Sequence, residues 1–235
     1  MGTLRRYGSA LKRYRQSLGF GVHSPFAFAF IRGVLAEKAP YYAYERLATA
    51  RRLSLDMANN KGRHRRVISL KSAKLLFRVT CRFNPAFILQ CGASYGVSSV
   101  AVLEVDSSSR LVVYTGSDVH DEIYTALTMP FEGRVTRYAT LEDAAKEYLA
   151  SLNGHPPFML VNDTCGCIGT LRPVMPHILD KGGVIVMRNL DRPDMDALWK
   201  STLSAMKHGM SFSNGRVGII TAMHHLPCQH FSLWF

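Results

Sequence analysis

The sequence lacks the features that would place the protein outside the ordinary globular class. None of its apolar runs reaches the ~18 uncharged residues that a membrane-spanning helix needs. The N-terminus has no apolar stretch of the secretory type, since Arg and Lys interrupt it up to Arg15. Five scattered cysteines, an odd number, predict reduced thiols in a cytoplasmic protein. The 47% hydrophobic content over 235 residues excludes an intrinsically disordered chain.

Acidic residues are scarce in the first third of the chain. Residues 1–82 contain 18 Lys and Arg but only three Asp and Glu, whereas residues 83–235 contain 11 and 14. The two parts therefore carry net charges of +15 and −3. This asymmetry predicts a polyanionic partner for the basic N-terminal segment, such as RNA or an anionic surface, or an acidic substrate. The alternative is a solvated basic face that only keeps the protein soluble.

The basic segment is predicted to be helical. Apolar residues spaced three and four apart predict an amphipathic helix over residues 4–18. Ser24 followed by Pro25 is typical of a helix start, with serine as the N-cap. The predicted helices of this segment span residues 4–18, 25–37, 41–57 and 69–82.

After Pro85 the pattern changes to strands that alternate with helices, which predicts βαβ units and a mostly parallel sheet. The last two predicted strands are joined by a short connection, so they are expected to pair with each other antiparallel. The predicted strands are 86–89, 111–114, 135–138, 158–161, 183–187, 217–223 and 230–235, and the predicted helices are 97–103, 121–128, 141–152, 171–180 and 194–208.

A glycine-rich turn follows the first strand and precedes a helix, as Gly92-Ala93-Ser94-Tyr95-Gly96. Glycines allow a ligand to approach the backbone closely, and the N–H groups at a helix start favour oxygen-rich or anionic groups. Ligands of open parallel sheets lie beyond the carboxyl ends of the strands. The segments predicted to line a site are therefore 91–96, 115–118, 162–166 and 188–191.

The segment from Ile88 to Ser98 resembles the first motif of class I S-adenosylmethionine-dependent methyltransferases, in their O-methyltransferase-like branch. The segments Lys74-Leu75-Leu76-Phe77-Arg78 and Gly21-Val22-His23-Ser24-Pro25-Phe26 resemble a bacterial subgroup with an N-terminal helical lid. The resemblance covers about residues 20–235. It implies an α/β Rossmann-like fold with a seven-stranded, mostly parallel sheet and a terminal antiparallel hairpin. The implied organisation is a basic helical lid, residues 1–82, before a methyltransferase-like domain, residues 83–235.

The resemblance also implies a cofactor and the residues that hold it. The first turn would cradle the amino-acid end of S-adenosylmethionine, and the residues after the second strand would meet its ribose. The implied cofactor-binding residues are Gln90, Gly92, Ala93, Ser94, Gly96, Thr115 and Gly116.

Two positions that carry acids in the family are neutral here. Gln90 stands at the end of the first strand, and Thr115 stands where a carboxylate holds both ribose hydroxyls. Charge-assisted hydrogen bonds contribute about 1.5–3 kcal/mol each, and a threonine hydroxyl replaces only part of that. Asp118, three residues further on, is a candidate substitute if the loop bends towards the ribose.

The acid after the fourth strand is present as Asp163, the implied catalytic residue, which would face the substrate. Metal-dependent relatives add an Asp-Asn pair after the fifth strand, and the corresponding residues here are Arg188 and Asn189. Divalent cations prefer oxygen ligands, so an arginine there predicts a metal-independent protein. Asp163 is either a general base or the partner of Arg188 in an ion pair, and we favour the ion pair. Cys165 and Cys167, in the same loop, are expected to be thiols that fill space.

The sequence thus predicts an S-adenosylmethionine-dependent methyltransferase that acts on an oxygen or nitrogen nucleophile of a small molecule. Two rival hypotheses stay open. The first is a catalytically inactive scaffold or binding protein of the same fold that has lost the cofactor, which the neutral residues Gln90 and Thr115 would explain. The second is an RNA-directed methyltransferase, whose basic segment would bind RNA with a steep dependence on salt.

Overall fold

The computed structural model describes residues 13, 17, 19–59, 67–116 and 121–235. The predicted helix over residues 4–18 lies outside this part of the chain, apart from the helical positions Arg13 and Ser17. Asp118 and the polar segment 60–66 also lie outside the described residues. Among the helices within them, none is both long and apolar enough to cross a membrane.

The described residues form one sheet of eight strands, β1 (Phe87–Cys91), β2 (Arg110–Tyr114), β3 (Val135–Tyr138), β4 (Phe158–Val161), β5 (Val184–Arg188), β6 (Met210–Ser213), β7 (Val217–Thr221) and β8 (Gln229–Ser232). Their order in the sheet is β3-β2-β1-β4-β5-β7-β6-β8. The neighbours among β1 to β5 are parallel, which confirms the predicted βαβ units. The order reverses at β1, between β2 and β4, so a crevice opens at the carboxyl ends of these strands.

The helices lie where the sequence pattern predicts them, with ends that differ by a few residues. Ser24 caps the first one, because its hydroxyl accepts a hydrogen bond from the Ala27 N–H at 3.2 Å. The helices are α1 (Pro25–Phe30, continued by the π-helical turn Ile31–Leu35), α2 (Ala43–Asn59), α3 (Leu70–Phe83), α4 (Val97–Leu103), α5 (Asp121–Thr128), α6 (Leu141–Ser151), α7 (Ile168–Asp180) and α8 (Pro193–Ala205).

Successive residues of the central strands point to opposite faces of the sheet and enter two separate hydrophobic cores. Ile88 packs in the core that α1 to α5 cover, whereas its neighbour Leu89 packs in the core that α6, α7 and α8 cover. Because both faces are buried, these strands are almost continuously apolar. The N-terminal helices share the first core, as the rings of Phe30 and Phe212 show with centroids 4.7 Å apart.

The predicted pairing of the last two strands is wrong. β7 pairs antiparallel with both β5 and β6, and β8 pairs in parallel with β6. The sequence predicts seven strands and not the eighth, β6, because its four residues, Met-Ser-Phe-Ser, give too short an alternation to recognise. The antiparallel hairpin of the sheet therefore consists of β6 and β7, and β8 forms the edge beyond it.

Candidate functional site

A cavity of about 800 Å³ lies at the carboxyl ends of β1, β2, β4 and β5. This volume is within the range of small-molecule sites, about 300–1,000 Å³. The four segments that the sequence predicts to line a site all contribute to it. The lining residues are Val67, Ile68, Ser69, Ser72, Gly92, Ala93, Tyr95, Thr115, Gly116, Asn162, Asp163, Cys165, Gly166, Arg188, Asn189, Asp191, Arg192, Arg216 and Val217.

Gln90 lies beneath the turn after β1 and is fully buried rather than part of the cavity wall. Its Nε2 donates to the Gly92 carbonyl oxygen at 2.9 Å, and its Oε1 accepts from the Ser99 hydroxyl at 3.1 Å. Asn162 Nδ2 donates to the same Gly92 oxygen at 2.7 Å. A carboxylate at position 90 has no N–H to donate, so these contacts give a physical reason for the amide in place of the family's acid.

The turn after β1 comes so close to the loop after β4 that its first residue must be glycine. Gly92 has a φ of +82°, and a Cβ there would lie 3.0 Å from the Asp163 amide nitrogen. Ala93 follows on the cavity wall, so backbone and a single methyl group border the cavity here. The turn continues as a 3₁₀ segment, Ser94–Gly96. Gly96 packs against Leu127 of α5 and does not line the cavity.

Thr115 and Gly116 form the wall of the cavity after β2. The Cys165 thiol packs directly against Gly116, since a Cβ on that glycine would lie 2.9 Å from Sγ. The Thr115 carbonyl oxygen accepts a weak hydrogen bond from the same thiol at 3.9 Å. The β2 and β4 loops therefore meet at Cys165, which borders the position predicted for the ribose.

Asp163 lines the cavity, but its partner is not the predicted one. Its Oδ2 forms an ion pair with Arg192, and its Oδ1 accepts a hydrogen bond from the Cys165 N–H at 2.9 Å. Arg192 also pairs with Asp194 at 3.1 Å. The expected ion pair between Asp163 and Arg188 is thus replaced by one with Arg192, which reaches Asp163 from the loop that precedes α8.

Arg188 extends from the end of β5 into the interior and is only 8% exposed. Its Nη1 donates to the Asn162 side-chain oxygen at 2.9 Å. Burial lowers the pKa of its guanidinium to about 10, so the group stays cationic at neutral pH. Among the described residues, no cluster of three or more His, Cys, Asp and Glu side chains is suited to hold a metal ion.

Three thiols meet where β1, β2 and β4 end. Cys91 Sγ donates to the Asp163 carbonyl oxygen at 3.2 Å, and Cys167 Sγ donates to the Tyr114 hydroxyl at 3.4 Å. The pKa of the Cys91 thiol is raised, mostly by a hydrogen bond with Cys165 and to a smaller extent by burial. The thiols of Cys165 and Cys167 thus fill space between loops, as expected, and only Cys165 also borders the cavity.

Several cavity residues were not selected by sequence reasoning. Arg192 lies one position beyond the last predicted segment, 188–191. Arg216 and residues 67–72 come from parts of the chain that carry no recognisable motif. Only the pairing of β7 with β5 brings the β6–β7 turn to this cavity.

Three solved structures with the same fold are methyltransferases. An O-methyltransferase from Bacillus cereus in complex with SAH aligns with a TM-score of 0.57 at 13% identity over 82% of this chain and 95% of that chain. Podospora anserina methyltransferase PaMTH1, bound to SAH, aligns with a TM-score of 0.56 at 15% identity over 79% and 98%. The O-methyltransferase TomG from Streptomyces achromogenes, in complex with SAM, gives 0.54 at 15% identity over 79% and 91%.

No protein-family model matches the sequence, and no curated protein is significantly similar to it. The similarity to the solved structures therefore lies in the fold. This chain has the Rossmann-like α/β fold of class I S-adenosylmethionine-dependent O-methyltransferases.

Proposed function

We propose that this protein is an S-adenosylmethionine-dependent methyltransferase that acts on an oxygen or nitrogen nucleophile without a metal ion. The observation that supports it most is the open cavity at the switch point of the sheet, bordered by the glycine turn after β1 and by Thr115 and Gly116 after β2. The first two residues of the turn leave space for a ligand, because Gly92 has no side chain and Ala93 has a single methyl group. Solved proteins with the same fold contain SAM or SAH.

The residues present fit the cofactor at its amino-acid end and, with weaker bonds, at its ribose. The backbone of the turn at Gly92 and Ala93 borders the cavity and would hold the amino-acid end. Thr115 and Gly116 would face the ribose with a hydroxyl and backbone groups. Within the described residues these two positions offer no carboxylate, so we expect an affinity below that of a site with an acid at position 115.

The chemistry requires alignment more than a reactive side chain. Bound S-adenosylmethionine supplies an electrophilic methyl group. The chain positions the acceptor beside it and excludes water, and alignment of this kind accounts for a large part of many enzymatic rate enhancements. The loops after β4 and β5 border the acceptor side of the cavity. They are joined to each other, because Asn189 Nδ2 donates to the Asn162 carbonyl oxygen at 2.8 Å.

Asp163 is proposed to position the acceptor side of the cavity rather than to abstract a proton. Both of its carboxylate oxygens already accept hydrogen bonds, one from Arg192 and one from the Cys165 N–H. Its role in this proposal is to hold Arg192 at the cavity wall.

Metal independence is supported by the residue at the end of β5. The Arg188 guanidinium lies in the cavity wall and contacts Asn162, at the position where the resemblance implies an acidic metal ligand in metal-dependent relatives. A divalent cation there would be repelled by the guanidinium.

Calorimetric titration with S-adenosylmethionine and with S-adenosylhomocysteine tests the proposal. We expect dissociation constants in the micromolar range, since the cavity is preformed and backbone groups border it. Absence of binding of both compounds at millimolar concentration would contradict the proposal and favour the inactive scaffold.

Cys165 provides a test of where the cofactor binds. N-ethylmaleimide attached to this half-buried thiol would occupy the space beside Gly116, so we expect alkylation to weaken S-adenosylmethionine binding at least tenfold. The variant Cys165→Ala should keep its affinity after the same treatment, although Cys81, Cys167 and Cys228 remain. Equal loss in the variant would place the effect at another cysteine and contradict the assignment of this wall.

A polyanionic partner of residues 1–82 stays a prediction. Eight of the 18 Lys and Arg residues of this segment, at positions 1–12, 14–16 and 60–66, lie outside the described residues.

A further inference from the structure

The cavity has two halves that belong to different strands. The turn after β1 and the residues after β2 border one half, which the proposed function assigns to the cofactor. The end of β5 and the β6–β7 turn border the other half, because Arg188 is paired with Val217 across the two antiparallel strands. The order of the sheet places β4 and β5 between β1 and β7, so the second half lies apart from the glycine turn.

A second cavity of about 680 Å³ adjoins this second half. The two cavities share Ser69, Ser72, Arg216 and Val217 on their walls. The second one also reaches Lys71. A ligand bound in the second half of the first cavity therefore has room to extend into the second cavity.

Cationic side chains predominate on these walls. Arg13, Lys71, Arg188, Arg192 and Arg216 line the two cavities, against the carboxylates of Asp163 and Asp191. Arg192 is balanced by Asp163 and Asp194. In the part of the chain that the structure describes, no ion pair involves the side chains of Lys71 or Arg216. Lys71 and Arg216 therefore contribute positive charge to these walls.

Arg188 is a buried cation of the first cavity wall. Its Nη1 donates to the Asn162 side-chain oxygen at 2.9 Å, and the residue is only 8% exposed. The attraction between a cation and an anion increases as the local dielectric constant falls, so a cation in a cavity wall binds an anion more strongly than one at the surface.

The loops that carry the cations are held in place by backbone hydrogen bonds. The Leu190 N–H donates to the Arg216 carbonyl oxygen at 3.1 Å, which joins the β5 loop to the β6–β7 turn. The Arg192 N–H donates to the Asn189 carbonyl oxygen at 3.0 Å. These bonds keep the arginines of both loops at one opening before any ligand binds.

We propose that the methyl acceptor is a small molecule with an oxyanion, either a phosphate or a carboxylate, which binds beside Arg216, where the two cavities join, with Arg188 on the wall of the first cavity and Lys71 on the wall of the second. Guanidinium groups match both oxyanions with paired N–H donors. The inference rests on the proposed function, because it assigns the second half of the cavity to the acceptor.

Calorimetric titration of the full chain at low ionic strength tests it without the cofactor, with phenyl phosphate and benzoate as probes and benzyl alcohol as the neutral control. We expect saturable binding of at least one anion, and the tighter of the two identifies the acidic group. Binding should weaken at least fivefold in Arg216→Gln and in Lys71→Gln. Both residues are exposed, and an unchanged unfolding midpoint would show that the variants keep their fold.

Arg172→Gln is the matched control, since Arg172 is exposed on α7 and lines neither cavity. Its binding of the anions should equal that of the unmodified protein. The inference is overturned if neither anion binds, if benzyl alcohol binds equally well, or if Arg172→Gln weakens binding as much as Arg216→Gln. Binding of RNA without binding of the small anions would also overturn it, in favour of a polyanionic partner.

The anion titration and the S-adenosylmethionine titration can fail independently of each other. Binding of S-adenosylmethionine without binding of either anion contradicts the acceptor class alone. Binding of an anion by a protein that does not bind S-adenosylmethionine contradicts the proposed function, and with it the assignment of this anion as a methyl acceptor.

Discussion

Replacement of Thr115 with aspartate is expected to tighten the binding of S-adenosylmethionine at least tenfold. Thr115 lines the cavity after β2, where a carboxylate would accept hydrogen bonds from both ribose hydroxyls. Charge-assisted hydrogen bonds contribute about 1.5–3 kcal/mol each, and about 1.4 kcal/mol corresponds to a factor of ten in affinity. Calorimetric titration of the variant and of the unmodified protein measures the change.

Thr115→Asn is the control, because asparagine has the shape of aspartate without its charge. It should gain much less affinity than Thr115→Asp. The outcome that contradicts the assignment is an unchanged affinity in Thr115→Asp together with a large loss in Asp118→Asn. That result would place the ribose at Asp118, which lies outside the described residues.

Substitution of Gly209 with alanine is expected to lower the free energy of unfolding more than the same substitution at Gly215. Gly209 has a φ of +96°, and a Cβ would lie 2.0 Å from the Thr221 carbonyl oxygen and 2.6 Å from the Ala222 Cα. The left-handed conformation costs an alanine roughly 1–2 kcal/mol, and a forced backbone shift adds about 1–3 kcal/mol. We therefore expect the free energy of unfolding to fall by about 3 kcal/mol in urea denaturation.

Gly215→Ala separates the two contributions. Gly215 also has a positive φ, +86°, but a Cβ there meets no atom within 4 Å. Its substitution should lower the free energy of unfolding by only about 1–2 kcal/mol, from the backbone conformation alone. Equal losses in the two variants would show that β6 does not lie as close to β7 as the structure has it.

The alternation of strands and helices could be read from the sequence with small errors at the ends. The strand predicted over residues 86–89 is β1, Phe87–Cys91, and the strand predicted over 158–161 is β4, Phe158–Val161. Such elements are recognisable because buried parallel strands are continuous apolar runs. β6 was not recognisable, because a four-residue strand between a helix and a turn has almost no periodicity of its own.

The location of the candidate site could be predicted from the sequence, but the contacts between its side chains could not. The glycine turn and the positions after β2, β4 and β5 all reach the cavity. The partner of Asp163 was not predictable, since Arg188 at the end of β5 and Arg192 before α8 are only four positions apart and only the direction of each side chain decides between them. The hydrogen bonds of Gln90 with Gly92 and Ser99 depend in the same way on the packed turn.

The amino-acid order by itself determined the class of the fold, the turn at Gly92 and the helix start at Ser24, because each depends on neighbours within a few positions. The tertiary structure alone decided that β6 lies between β7 and β8, that Asp163 pairs with Arg192, and that Lys71 and Arg216 line adjoining walls. These features join residues far apart in the chain. Their pairing is selected by the packing of the whole sheet and its helices, which no local pattern of residues encodes.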